Sequence, residues 1–120
     1  GLAVQGQPEQ LQRLFTNLLL NALRHSPEGG TVALVVRPSA QRVLVEVIDA
    51  GPGIAPQERD KVFERFWRGS DRGGQSGLGL AIARSIARRH GGDLRVGESR
   101  PGHCVLRVEL AHAAATFTTF

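Results

Sequence analysis

An apolar stripe at helical spacing between residues 8 and 25 constrains the fold more than any other feature. Its members recur at intervals of three and four residues: Leu11, Leu14, Phe15, Leu18, Leu19, Ala22 and Leu23. This spacing places them on one face of an α-helix. Pro8 suits the first turn of that helix, and Ser26-Pro27 ends it. We therefore predict a long amphipathic helix whose apolar face needs a second layer to cover it.

The second layer is predicted to be a β-sheet. Residues 31–36 (TVALVV) and 42–49 (RVLVEVID) are rich in β-branched side chains and indicate a hairpin, and residues 93–98 and 103–110 indicate another. Between the hairpins we expect a short helix around residues 56–66 and a second long helix over residues 77–90. The predicted fold class is α/β, a two-layer sandwich with a mixed sheet covered on one face by helices.

Length and composition indicate one ordinary globular domain. The 120 residues are 41% hydrophobic and 22% charged. Cys104 is the single cysteine, which excludes an internal disulfide and favours a reducing, cytoplasmic compartment. We assign residues 1–110 to the domain. Residues 111–120 have no usable periodicity and are interpreted as a tail, disordered or artificial.

The net charge of +4 raises the possibility of nucleic-acid binding. The arginines are scattered, however, with short clusters at residues 65–72 and 84–89, and aromatic residues make up only 5% of the chain. A platform that stacks bases needs several exposed aromatic side chains beside the positive charge. We therefore predict no nucleic-acid partner, and a basic binding module stays as the non-enzymatic alternative.

Asp49 ends a strand and is followed by Gly51 and Gly53 in the segment DAGPG. A plain turn explains these residues, because aspartate stops strands and glycine adopts unusual backbone angles. They would also suit a flat ring lying against the backbone, with the carboxylate accepting a hydrogen bond from an exocyclic amine.

The segment SGLGL opens the second long helix, with Ser76 as the predicted N-cap. Free amides at a helix start attract anions, and Gly77 and Gly79 would let a phosphate approach. Tight packing of the helix start is the structural alternative. No Lys-Ser/Thr pair follows these glycines, and Ile82 replaces the third glycine of a dinucleotide fingerprint, so both of those phosphate motifs are excluded.

Asn17 and Asn21 lie four residues apart on the first helix, so they share one face, near Arg24. A packed polar group explains one asparagine. Two asparagines with an arginine suit a hydrated cation and phosphate oxygens. Mg²⁺ keeps several waters and takes few protein ligands when phosphates supply the rest, so one amide oxygen would suffice.

Four segments in order, NLLLNALRHS, DAGPG, VFERFWRG and SGLGLAIAR, resemble the N, G1, F and G2 boxes of bacterial sensor histidine kinases. The resemblance covers about residues 2–110 and identifies the chain as similar to the catalytic ATP-binding domain of the GHKL superfamily. It implies the Bergerat-type α/β sandwich, with ATP between the first long helix and a lid. It also implies a parent protein anchored in the bacterial inner membrane.

The resemblance implies specific roles. Asn21 matches the Mg²⁺ ligand, and Asn17 matches its polar partner. Arg24 and His25 match positions near the phosphates and ribose, and Asp49 matches the aspartate that binds the adenine amine. The other positions implied to bind the nucleotide are Gly51, Gly53, Ile54, Arg68, Gly77, Leu78, Gly79 and Leu80. Phe63 and Phe66 match the F box, where core packing is as good an explanation as lid control.

Two departures from the family pattern stand out: Gln75 replaces the first glycine of the G2 box, and no segment resembles the helix that bears the phosphoacceptor histidine. The resemblance thus implies a monomeric fragment that donates the γ-phosphate of Mg·ATP to a histidine on a separate domain, with a response regulator downstream. Gyrase-like hydrolases carry a glutamate base where this chain has Asn17, which disfavours hydrolysis. An anti-sigma serine kinase and a scaffold without catalysis are the remaining alternatives.

Overall fold

The structure is a computed structural model, and it describes residues 4, 6–65, 67 and 78–111. Its main elements in chain order are α1 (Pro8–His25), β1 (Ala33–Ser39), β2 (Arg42–Asp49), α2 (Gly79–Arg89), β3 (Asp93–Arg100) and β4 (His103–Ala111). Single-turn 3₁₀ helices span Pro56–Glu58 and Lys61–Phe63 between β2 and α2. β4 therefore includes Ala111, the first residue of the predicted tail, and the rest of that tail lies outside the described residues.

The four strands form one sheet in the order β1-β2-β4-β3, and each neighbouring pair is antiparallel. The predicted two-layer α/β sandwich is confirmed, but the prediction of a mixed sheet is wrong for these strands. β3 follows α2 and runs in the same direction as β2, as expected for two strands joined through a helix. β4 then pairs between β2 and β3, so the two strands of like direction are not neighbours.

The core lies between the two helices and one face of the sheet. Alternate residues of β2 point into it, and each is paired with an apolar residue of β4: Val43 with Leu110, Val45 with Val108, and Val47 with Leu106. Leu14 and Leu18 of α1 are fully buried against this face. Burying a leucine side chain contributes about 1.5–3 kcal/mol, so these residues of the predicted apolar stripe hold α1 on the sheet. Leu23, the last member of that stripe, is an exception, because it is 62% exposed.

The opposite face of the sheet carries an ion-pair network at its centre. Glu46 of β2 lies 2.8 Å from Arg107 of β4 and 3.1 Å from Arg37 of β1. Its neighbours in sequence, Val45 and Val47, point to the core, because successive strand residues face opposite sides. Because one face of the sheet is apolar and the other is charged at its centre, the helices pack on the apolar face.

His90 joins the start of α1 to the end of α2. It occupies the C-cap position of α2, as the sequence predicts for a histidine at a helix C-terminus. Its Nδ1 lies 2.8 Å from the carbonyl oxygen of Ile86, and its Nε2 accepts a hydrogen bond from the Gln7 N–H at 3.1 Å. With Nε2 as acceptor, Nδ1 carries the proton in the neutral ring. Gly91 follows with φ of +77°, a conformation that glycine adopts readily just after a helix end.

Two local predictions are wrong. The segment predicted as a short helix at residues 56–66 forms two separate 3₁₀ turns, an arrangement that buries the adjacent residues Val62 and Phe63 together. The second long helix begins at Gly79 with Leu78 in the N-cap position, and its first bond runs from the Ile82 N–H to the Leu78 carbonyl at 2.9 Å. Ser76, the predicted N-cap, lies outside the described residues.

Candidate functional site

The last turn of α1 is fixed to the end of β2 by one hydrogen bond. Ser26, the C-cap residue of α1, leaves the helical conformation with ψ of 140°. Its hydroxyl oxygen accepts a hydrogen bond from the Ala50 N–H at 3.1 Å. This contact brings Arg24 and His25, in the last turn of α1, to the same edge of the sandwich as Asp49.

Asp49 is buried at that edge, with 2% of its surface exposed. One of its carboxylate oxygens, Oδ1, accepts a hydrogen bond from the Gly51 N–H at 2.8 Å. This bond fixes the direction of the carboxylate relative to the turn that follows. An ionised carboxylate has about four acceptor positions, so it can hold the turn and still accept a bond from a ligand.

The loop after Asp49 is held against the β3–β4 hairpin. Gly51 accepts a hydrogen bond on its carbonyl oxygen from the Gly102 N–H at 2.8 Å, and the Ile54 N–H donates to Ser99 Oγ at 2.7 Å. Gly53 between them has φ of +82°. A Cβ at Gly53 would lie 2.8 Å from the backbone carbon and oxygen of Arg100. Glycine is therefore required here for the close approach of two backbones.

α1 also meets the start of α2. Asn17 donates a hydrogen bond from Nδ2 to the Gly79 carbonyl oxygen at 3.3 Å. Asn21, one turn further along α1, is buried with 7% of its surface exposed. At Gly79 an added Cβ would meet no atom within 4 Å, so the backbone there faces open space. The amides of this first turn have no acceptor within the helix, which makes them available to an anion.

The structure places the residues that the resemblance assigns to one site on three elements, and α1 packs against the other two. Asn17 and Asn21 come from α1, Asp49 ends β2, and Gly79 starts α2, next to Leu78 and to the buried Leu80. Arg24 is exposed and His25 is half-buried in the last turn of α1. Arg68, Gly77 and Phe66 lie outside the described residues, so their predicted roles have no structural counterpart here.

Sequence reasoning missed the two serines that fasten this edge. In the sequence, Ser26 indicates only the end of a helix, and Ser99 falls between the two predicted strands of the last hairpin. Each hydroxyl accepts a hydrogen bond from a backbone N–H more than twenty residues away in the chain. Such distant pairs leave no local pattern, so no signal in the sequence could have identified them.

Among residues 4, 6–65, 67 and 78–111, no group of three or more His, Cys, Asp or Glu side chains is placed to hold a metal ion. A magnesium ion that arrives with a nucleotide needs less, because phosphate oxygens and water fill most of its coordination sphere. The amide oxygen of Asn21 is a hard oxygen donor of the kind that Mg²⁺ prefers. The described residues therefore fit a Mg²⁺ ion that arrives bound to a nucleotide.

Residues 6–114 match the family described as "Histidine kinase-, DNA gyrase B-, and HSP90-like ATPase". The chain belongs to this family. The match covers every element that forms the site, from α1 to β4.

Named relatives of the chain are sensor kinases of mycobacteria. The chain is 44% identical over 107 residues to the "Signal transduction histidine-protein kinase/phosphatase MprB" of Mycobacterium ulcerans, covering 85% of this chain and 20% of the relative. It is 42% identical over 105 residues to the "Sensor-like histidine kinase SenX3" of Mycobacterium tuberculosis, covering 84% of this chain and 25% of the relative. The chain thus spans about a fifth to a quarter of the length of these relatives.

Solved structures agree with this assignment. The "Mycobacterial sensor histidine kinase MprB" superposes with a TM-score of 0.83 at 37% identity, over 92% of this chain and 76% of that chain. Full-length ShkA "in complex with AMPPNP" superposes with the same TM-score of 0.83 at 29% identity, over 94% of this chain and 24% of that chain. The fold is therefore that of histidine kinase catalytic domains. Within the described part of the chain, no helix combines the length and apolar character needed to cross a membrane.

Proposed function

We propose that this chain is the ATP-binding catalytic domain of a sensor histidine kinase, which binds Mg·ATP and donates the γ-phosphate to a histidine on a separate domain. The buried Asp49 carboxylate, held by the Gly51 N–H at the end of β2 and next to the last turn of α1, carries this proposal. Family membership and the AMPPNP complex of ShkA support nucleotide binding by a domain of this fold.

In this proposal Asp49 selects the base. Its second oxygen accepts a hydrogen bond from the exocyclic amine of adenine, while Gly51 and Gly53 leave room for the ring. A desolvated bond to a charged group contributes about 1.5–3 kcal/mol, which corresponds to a tenfold or greater effect on affinity. Guanine carries a carbonyl oxygen at the matching position, and this oxygen would face the carboxylate with no proton between them.

The phosphates are proposed to lie between the last turns of α1 and the start of α2. The first-turn amides at Gly79 and Leu80 and the Arg24 guanidinium offset their charge, with Gly77 and Arg68 as further predicted contacts. The amide oxygen of Asn21 would hold the Mg²⁺ ion, which neutralises phosphate charge when it is bound. His25, Ile54 and Leu78 complete the proposed nucleotide contacts.

Asn17 has a positioning role in this scheme. Its Nδ2 is engaged by the Gly79 carbonyl, which fixes the start of α2 relative to α1. An amide cannot take a proton from water at neutral pH, so this position offers no general base for hydrolysis. The γ-phosphoryl group is instead proposed to pass to an imidazole nitrogen as its bond to the β–γ bridging oxygen breaks and ADP leaves. A response regulator is the proposed downstream partner.

Calorimetric titration of the 120-residue chain with Mg·ATP and Mg·GTP tests the role of Asp49. We expect ATP to bind at least about tenfold more tightly than GTP. Asp49→Asn keeps an acceptor for the Gly51 N–H, removes the charge, and should bring the two affinities together. Glu46→Gln is the matched control, because Glu46 is a buried carboxylate on the same strand that faces the other side of the sheet. Equal affinity of the unaltered chain for both nucleotides would contradict the assignment.

Phosphotransfer is tested by mixing the chain and labelled Mg·ATP with a purified domain that carries a phosphoacceptor histidine. We expect label on the histidine domain and very slow release of free phosphate by the chain alone. Asn21→Ala should abolish the magnesium-dependent transfer more than it weakens ATP binding. Gln12→Ala, an amide on the exposed side of the same helix, is the control and should transfer normally. Rapid multiple-turnover hydrolysis by the isolated chain would refute the proposal.

A further inference from the structure

A second concave surface lies along α2 from Ala81 to Arg89, and its charged residues on this helix lie in the C-terminal half. Two cavities of about 540 and 410 Å³ share Asp60, Phe63, Arg84 and Arg88 in their walls, so they form one continuous groove. The groove, termed here the basic groove, runs between α2, the 3₁₀ turn at Lys61–Phe63 and the start of β3. Its six arginines are Arg59, Arg65, Arg84, Arg88, Arg89 and Arg95.

The basic groove holds most of the net charge of the chain. Against its six arginines stand three carboxylates, those of Asp60, Glu64 and Asp93, which leaves a charge of +3. The whole sequence carries +4. The remainder of the chain is thus nearly neutral, and the excess positive charge predicted from the composition is concentrated at one place rather than spread over the surface.

Three of these arginines converge on a single carboxylate. The Nε atoms of Arg84 and Arg88 lie 3.3 and 3.1 Å from Asp93 Oδ1, and Arg95 Nε lies 3.3 Å from Oδ2. Burial alone would raise the pKa of Asp93, but the Leu94 N–H and the three guanidinium groups outweigh it and lower the pKa to about 2. Because the single carboxylate of Asp93 pairs with three guanidinium groups, these four side chains together keep a net charge of +2.

A fourth arginine has an unused donor in the same groove. Arg59 donates from Nη2 to the Ser99 carbonyl oxygen at 3.3 Å. Its Nε atom is buried, and no acceptor reaches it among the residues that the structure describes. Arg59 therefore adds a further positive charge to the wall of the groove.

We propose that the basic groove binds an acidic segment of a partner protein, one with several carboxylates close together in sequence. Guanidinium groups bind carboxylates well because their donors match the two oxygens. Arg88 lies nine residues beyond Gly79, which places it about 13 Å along the helix axis from the proposed phosphate site. The arginines that α2 contributes to the groove thus lie C-terminal to the proposed phosphate contacts, and the proposal does not depend on the function proposed above.

Two features favour an acidic peptide over a nucleic acid. Asp60 and Glu64 line the groove among the arginines and would repel an unbroken row of phosphates. The ring of Phe63 is covered by the Arg84 guanidinium, 4.6 Å from the ring centroid, so it presents no free face on which a base could stack. The phosphates of a duplex are fixed in their row, whereas a flexible peptide can turn some carboxylates toward the arginines and the others into solvent, away from Asp60 and Glu64.

Titration of the 120-residue chain with a fluorescent octaglutamate peptide at low salt tests the proposal. We expect saturable binding that weakens as salt is added, and no binding of an octaglutamine peptide. Arg88→Glu should weaken octaglutamate binding at least about fivefold. Arg13→Glu carries the same change of charge on an exposed residue of α1 and should have a much smaller effect. Mg·ATP affinity, measured on the same samples, should be unchanged in both variants.

Arg95→Glu serves as a second variant if Arg88→Glu lowers the yield of folded protein, because the Arg95 side chain is 75% exposed. Equal weakening by Arg13→Glu and the groove variants would overturn the proposal in favour of diffuse charge attraction. Tighter binding of a short DNA duplex than of octaglutamate, lost in Arg88→Glu, would also overturn it, since it would mark a nucleic-acid site. Failure of Mg·ATP to bind, with octaglutamate binding intact, would refute only the function proposed above.

Discussion

Replacing Gly53 with alanine should destabilise the domain through two separable effects. The first is backbone strain, because Gly53 has φ of +82°, a region that L-residues occupy at a cost of about 1–2 kcal/mol. The second is a collision, because the new Cβ would lie 2.8 Å from the backbone carbon and oxygen of Arg100. Relief of such overpacking by movement of a strand costs about 1–3 kcal/mol. The sum is roughly 2–5 kcal/mol, a large part of the 5–15 kcal/mol that stabilises a typical domain.

Gly91→Ala carries only the first effect, so the difference between the two variants measures the second. Gly91 has a similar φ of +77°, but an added Cβ would meet no atom within 4 Å. Both replacements also reduce the freedom of the unfolded chain by the same amount, which cancels in the comparison. Urea unfolding followed by circular dichroism should give Gly91→Ala a loss of about 1–2 kcal/mol and Gly53→Ala a further 1–3 kcal/mol. If Gly53→Ala is no more destabilising than Gly91→Ala, a collision of the new Cβ with the Arg100 backbone is excluded.

Two further predictions concern stability away from this loop. The pKa of Asp93 in the fold, about 2, lies below its ordinary value of 3.8, so the stability it contributes is complete above about pH 4 and is lost as the pH falls toward 2. Asp93→Asn should therefore lower the free energy of unfolding by about 1 kcal/mol near neutral pH, allowing for solvent screening. This difference between the variant and the unaltered chain should vanish near pH 2. A difference that does not change with pH would exclude the ion pairs as its source. Leu18→Ala should cost about 2–5 kcal/mol in urea unfolding, because Leu18 is fully buried, whereas the half-exposed Leu20 on the same helix should lose less than 1 kcal/mol on the same change.

The sequence predicted the elements whose signals are local. The stripe from Leu11 to Leu23 repeats often enough to specify α1, and its predicted span of residues 8–25 matches Pro8–His25. The strand RVLVEVID is found at Arg42–Asp49, because a run of β-branched residues bounded by turn residues has few other solutions. Asparagines inside a helix and an aspartate at a strand end are also visible without any tertiary information. The resemblance to the four sequence boxes then assigned these residues to one candidate site.

The rest depended on pairings between distant parts of the chain. Nothing near β4 indicates that it pairs with β2, so the antiparallel sheet could not be distinguished from a mixed one. The segment around Val62 and Phe63 has helical spacing, but packing of both residues into the core selects two 3₁₀ turns instead. The three arginines around Asp93 were visible only as part of a scattered basic composition, because Arg84 and Arg95 come together through the turn that ends α2.

The pairing of β2 with β4 at the centre of the sheet, termed here the central seam, affects how the domain folds. Each hairpin can form from neighbouring residues, but the seam joins residues such as Asp49 and Cys104 that are more than fifty positions apart. Contacts of such long range slow folding, since the intervening chain must close before they form. The equilibrium cost of that closure grows only by about 0.6 kcal/mol for each doubling of the intervening length. Insertions between β2 and α2 should thus alter the folding rate and the local loop while leaving the finished sandwich almost as stable.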